Sequence, residues 1–293
     1  MIAKLRNTSC FIFHCIPGML IILVVCCSSC QKGYLGPVNS YGTNFNLLQK
    51  MVINSDSGVA THTFLYSASG QLVTHNILFN GRNPSRVTNI VEQYYRNGTG
   101  TADSIKLTYS LNGVNKANKK LFFSYTSGSK IGYSVIWENS NDPSANRDSS
   151  AYLYNGNFLI ERTDYQAIGS GDYSSAAYSD LIFQYSGVNI SNAIFKNTVS
   201  GSTITTLASF NYDTSNAALP VNGFQYGYAS VGFAYQEYAA THNIVKTQFG
   251  DASAEGSVYV YKYLPVGKPY YATLTTTNST GAKSVATISF YYD

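Results

Sequence analysis

The sequence predicts an all-β protein: an antiparallel meander of many hairpins forming a curved, extended or rolled sheet. Three observations predict it. Short runs rich in Tyr, Phe, Thr, Val and Ile recur along the chain, each bounded by Gly, Asn, Ser or Asp, which is the signature of strands joined by tight turns. Side chains alternate within the runs: in "AYLYN", Tyr152 and Tyr154 fall on one face, Ala151 and Leu153 on the other. Only 12% of residues are charged, while Ser, Thr and Asn fill many alternate positions, so one face is expected to pack and the other to meet water.

The N-terminus precedes that architecture and has its own logic. Lys4 and Arg6 are followed by the apolar run Met19 to Cys27. It is shorter than the ~20 residues a membrane-spanning helix needs, but it has the length of a signal-peptide core. Ser28 and Ser29 then stand directly before Cys30. The stretch "LIILVVCCSSCQKG" resembles the bacterial lipobox, and the resemblance implies cleavage before Cys30 and lipidation of its thiol. Residues 1–29 would be the signal peptide, and Cys10, Cys15, Cys26 and Cys27 would leave with it; an ordinary secretory signal with incidental cysteines is the other reading. No cysteine follows residue 30. With Cys30 blocked by lipid, disulfides, thiolate zinc sites and cysteine nucleophiles are excluded. Residues 30–46, rich in Gly, Asn and Ser with Pro37, read as a tether, and residues 47–293 as a single β-repeat domain.

Within that domain the chain repeats itself loosely. "TFLYSASGQLV" (63–73), "KLTYSLNGVNK" (106–116), "FFSYTSGSKIG" (122–132), "AYLYNGNFLIE" (151–161), "IFQYSGVNISN" (182–192) and "SFNYDTSNAAL" (209–219) each end a β-prone run in tyrosine and continue through turn residues into a second apolar run. The tyrosines are Tyr66, Tyr109, Tyr125, Tyr154, Tyr185 and Tyr212, with Tyr94 as a further member. Glycine near the tip, present in the first five of these units, supplies the positive φ of tight hairpins. In the first unit, pairing Leu65 with Leu72 and Thr63 with Thr74 would set His62 across from His75. One stretch, about 217–247, lacks clean alternation; it is expected to be an irregular excursion with a short helix near 228–240. Strands resume in "SVYVYKYLP", "PYYATLTTT" and "VATISFYYD".

The unit "YSASGQLVTHNI" resembles a degenerate YD repeat of the RHS type, matching at Tyr66, Gly70 and Leu72 and departing at Ser67 and Gln71. More broadly, the lipobox, the tether, the tyrosine-ending hairpins, "NYDTSN", "THNIVKT" and "VYKYLPVGKPYYATLTT" resemble a Bacteroidota-type outer-membrane lipoprotein family of unknown function. That likeness implies an antiparallel β architecture and no assigned chemistry.

Chemistry is sparse. No P-loop, His-Glu-x-x-His, nucleophile elbow or paired zinc spacing occurs, and a formal charge of +4 is no footprint for nucleic acid. No cofactor is called for. "ENSNDPSANRDS" (138–149) carries oxygen ligands without EF-hand spacing and reads as a solvated loop. Glycoside hydrolysis needs two facing carboxylates; Glu138, Glu161, Asp164 and Glu237 are candidates only because aromatic residues adjoin them. His62 and His75 could share a metal, but no third ligand is evident, which favours a structural pair. Tyrosine numbers 26 against a single tryptophan. Its ring packs while its hydroxyl reaches water, and such rings beside Asn and Ser also suit sugar or protein contacts. Trp137 and Tyr165, which adjoin the polar loops "ENSND" and "QAIGSGD", are the candidate ligand-binding residues. The reading is a lipid-anchored cell-envelope protein, in the outer membrane with its face undetermined, that binds a glycan or an envelope protein. A carbohydrate-active hydrolase and a transmembrane β-barrel are the alternatives. Against the barrel, Ser or Thr interrupts both faces of "KLTYSL" and "FFSYTSG", where a lipid face should be continuously apolar.

Overall fold

The computed structural model describes residues 47–82, 86–97, 102–126, 130–137, 139–140, 147–165, 177–199, 202–216, 242–250 and 255–292. Its elements are all strands: β1 (Leu48–Ser55), β2 (Gly58–Tyr66), β3 (Leu72–Gly81), β4 (Val87–Arg96), β5 (Ala102–Leu111), β6 (Val114–Tyr125), β7 (Ile131–Trp137) and β8 (Arg147–Asn155). They continue as β9 (Phe158–Tyr165), β10 (Ala177–Ser186), β11 (Asn189–Val199), β12 (Ser202–Asn216), β13 (His242–Phe249), β14 (Gly256–Tyr263), β15 (Pro269–Thr277) and β16 (Lys283–Tyr292). Each pairs antiparallel with its neighbour in sequence, and β1 pairs with β16, so the meander closes into a 16-stranded barrel. This corrects the expected open or rolled sheet. A twisted meander leaves two unpaired edges, and joining them satisfies both rows of backbone groups. Here Ile53 meets Ile288 and Met51 meets Phe290 at the closing seam.

The hairpins lie where tyrosine and turn residues placed them. The first five quoted units straddle β2–β3, β5–β6, β6–β7, β8–β9 and β10–β11. At β5–β6 the turn is Asn112-Gly113, with φ of 51° and 78°, the left-handed geometry that Asn-Gly supplies in two-residue hairpins. Two boundaries differ from expectation. Arg147, Asp148 and Ser149 belong to β8 rather than to the loop, and residues 242–247 of the excursion belong to β13. The rest of the excursion, including the helix expected near 228–240, lies outside the described residues, as do the signal peptide and tether.

Alternation divides every strand between lumen and outer wall. In a closed barrel the solvent-shielded face is the lumen. Ala272, Ile288, Ile53, Ala60 and Phe79 form one buried row across β15, β16, β1, β2 and β3. A circular barrel of this strand number leaves an aqueous channel. Near-zero exposure of inward side chains such as Ile53, Phe64 and Ala272 shows instead that this lumen face is shielded from water. The outward positions between them are open: Leu65 is 54% and Val260 63% exposed.

Tyrosines ring one rim of the barrel. Tyr66, Tyr185 and Tyr292, near the ends of β2, β10 and β16, donate to the carbonyls of Leu48, Leu159 and Pro269 at 3.0, 2.7 and 2.8 Å. Tyr261 donates to Ile244 at 3.1 Å, and Tyr125 to Ala102. In every case the acceptor is near the start of the preceding strand, so each ring packs on the core while its hydroxyl satisfies a strand-end carbonyl. Arg96 does the same for β3, donating to the Leu72 carbonyl at 3.0 Å. Tyr185→Phe keeps the ring and removes only the bond. It is expected to lower stability by about 1 kcal/mol, seen as a lower urea midpoint with an unchanged slope.

Candidate functional site: the lumen and the outer wall around Trp137

A chain of polar groups crosses the lumen face of β2, β3 and β4. His62 Nδ1 lies 3.0 Å from His75 Nε2, His75 Nδ1 lies 3.2 Å from Glu92 Oε2, and Tyr94 donates to that same oxygen at 3.0 Å. All four are buried. The rings are stacked, with Phe64 and His75 centroids 4.7 Å apart and His62 and His75 5.3 Å apart. The expected register was wrong by two residues. Leu65 pairs with Thr74 and Tyr66 with Leu72, so Val73 is the extra residue of a bulge, and His62 stands opposite Ile77 while His75 stands opposite Phe64. The histidines still meet, because residues displaced by two on the partner strand share a face.

Burial strongly disfavours a charge on His62, and the neighbouring His75 adds to it; both hold the His62 pKa well below its ordinary 6.5. The chain therefore behaves as an internally satisfied polar network. Among the described residues no three His, Cys, Asp or Glu groups converge to hold a metal.

A second lumen cluster absorbs one of the candidate carboxylates. Asp164 accepts from Arg162 at 2.9 Å and from Ser150 at 2.7 Å, and nearby Ser134 and Tyr152 hydroxyls are 3.0 Å apart. Glu161, three residues back on β9, pairs with Leu153, which is exposed on the wall. Asp164 and Glu161 thus point to opposite faces, and this geometry removes the one candidate hydrolase pair among the described residues. Glu138 and Glu237 lie outside them, as does Cys30. A third cluster surrounds Asp213: it accepts from the backbone N–H groups of Ser215 and Asn243, from the Asn243 side chain and from Tyr263. Burial, and then the bond and charge of Asp213, push the Tyr263 hydroxyl pKa upward.

The two candidate ligand contacts lie on the outer wall. Trp137, last in β7, alternates with lumen-facing Ile136. Its register partners are Lys120 on β6 and Arg147 on β8. Arg147 lies over the indole at 4.3 Å from the ring centroid, and Phe122 meets it edge-on at 6.2 Å. Tyr165, on β9, continues the adjacent outward row through Ser149 and Val135 to Phe122. The structure therefore brings Trp137 and Tyr165 to one face, two strands apart. Sequence reading missed Glu92, Arg162 and Asp213. For Glu92 a signal existed: it shares strand parity with Ile90 and Tyr94, which is an inward position.

These features define a closed antiparallel β-barrel with a buried lumen face, apolar at most positions but interrupted by polar clusters, and a mixed outer wall. No protein-family description matches the chain, and no curated protein does. Among solved structures it is similar to a porin-like protein from Bacteroides uniformis, with 15% identity and a TM-score of 0.55, covering 85% of this chain and 98% of the other. A porin-like protein from Bacteroides vulgatus matches at 11% identity and a TM-score of 0.40, covering 85% and 99%. At such identity the likeness is one of fold.

Proposed function

We propose that the chain is a porin-like cell-envelope barrel that conducts nothing, stands in water, and is held to the membrane by lipid on Cys30. The observation that carries this reading is the sidedness of the strands. Phe64, Ile105, Leu121, Ile190, Ile244 and Leu274 fill the lumen where a pore would hold water. On the outer wall Lys106 stands mid-strand, fifth of the ten residues of β5, and the row through Lys262, Tyr271, Ser289, Val52, Thr61, Leu78, Asn89 and Ser110, which runs from one rim to the other, is polar at most positions. A lipid-facing band is apolar, and each Lys or Arg at its midplane costs about 2–4 kcal/mol. No catalytic role belongs to this reading.

A barrel that crosses the outer membrane is the second reading, favoured by the closed strand ring and the porin-like neighbour. Two measurements separate them. The full chain in planar bilayers should give no conductance steps. When residues 1–30 are replaced by a cleavable secretory signal lacking cysteine, the barrel should leave the membrane fraction on carbonate washing. Conductance, or retention after that wash, would establish the spanning reading instead.

A further inference from the structure

On the outer wall, register sets Lys106 of β5 opposite Lys120 of β6, Lys120 opposite Trp137 of β7, and Trp137 opposite Arg147 of β8. Their alternating neighbours Leu107, Leu121 and Ile136 are buried in the lumen, so all four point outward. Directly opposed like charges destabilise a sheet, and neither lysine forms an ion pair among the described residues. Lys120 turns instead onto Phe122, its Nζ 4.6 Å from the ring centroid. The Trp137 Nε1 is shielded from solvent and has no hydrogen-bond partner, while its ring lies under Arg147. Successive strands are about 4.8 Å apart, so cation, cation, ring and cation form a straight line across the sheet, with Phe122 and Tyr165 in the row beside it.

We propose that this line binds an acidic polysaccharide. Carboxylates along the polymer would pair with Lys106, Lys120 and Arg147, relieving the repulsion between the lysines. The apolar faces of the sugar rings would lie against Phe122 and Tyr165, beside the indole of Trp137. An extended polymer suits a linear array, whereas a membrane surface would engage the wall as a whole. The inference rests on the reading that this wall meets water.

Trp137 is the sole tryptophan, so its fluorescence reports the site in the full chain held in mild detergent. Polygalacturonate should change the emission saturably, with affinity falling as salt rises. The paired substitution Lys106→Gln and Lys120→Gln should weaken binding by roughly tenfold or more, with the melting temperature no lower than the parent's, since the repulsion is gone. Neutral dextran should leave the emission unchanged. An equal response to polyglutamate, which lacks sugar rings, would overturn the glycan class. A response to phosphatidylglycerol vesicles alone would assign the ladder to a membrane surface. Quenching of Trp137 by brominated lipids in reconstituted vesicles would refute the water-facing wall itself. No response to polygalacturonate, with the indole open to an aqueous quencher, would refute only the ladder.

Discussion

Phe64→Ala is expected to lower the stability of the barrel by about 3–5 kcal/mol, the usual loss for a buried phenylalanine. Phe64 is 0% exposed, and its ring stacks on His75, so truncation removes apolar burial, opens a cavity and loosens the support of the histidine pair. The same substitution in a water-filled pore would cost little, because solvent would simply replace the ring. Chemical denaturation therefore measures the state of the lumen as well as one side chain. A loss under about 1 kcal/mol would show that the inward rows are hydrated and would remove the basis of the non-conducting reading. Leu65→Ala, at the neighbouring outward position, is the matched control and should change stability by roughly 0.5 kcal/mol or less.

The second large effect is of pH. His62 has a folded-state pKa well below 6.5 because burial and then His75 oppose its charge. In the unfolded chain it titrates near 6.5, so below that pH the unfolded state binds a proton that the folded state refuses. Stability is complete above pH 6.5 and declines as the pH falls from there toward the depressed folded pKa, at up to about 1.4 kcal/mol per unit. Between pH 6.5 and 5 this group alone should lower stability progressively. His62→Gln keeps a partner for His75 and does not titrate. Melting curves of this variant should show a shallower dependence on pH over that interval. An unchanged slope would mean that His62 is charged in the folded barrel, and the polar chain would need another description.

Much of the fold was legible because its cause is local. Tyrosine followed by Ser, Asn or Gly marks a strand end and a turn within a few residues, which is why the first five quoted units coincide with hairpins. The parity of Tyr152 and Tyr154 against Leu153 gave the lumen and wall faces of β8 correctly. The histidine pair was legible in outcome but not in register. A bulge at Val73 is a response to twist and to the neighbouring β1 and β4, and nothing in "LYSASGQLV" encodes it. The candidate site was legible only in part. Trp137 and Tyr165 stood out as rings beside polar loops, whereas Lys106 and Lys120 carried no signal, being twelve or more residues from the tryptophan until the register of β5, β6 and β7 set them in line.

The sequence by itself determined an all-β chain, the positions of most turns and the division of each strand into a packed and an open face, because these depend on backbone preferences and a period of two. Tertiary structure alone decided that β16 returns to β1, that the packed face is the inside of a ring, and that the ring is filled. Closure depends on the accumulated twist and stagger of all sixteen strands, a sum over the whole chain that no single segment contains. The same sum fixed which charges stand together on the outer wall, since neighbours across strands are set by register and not by distance along the chain.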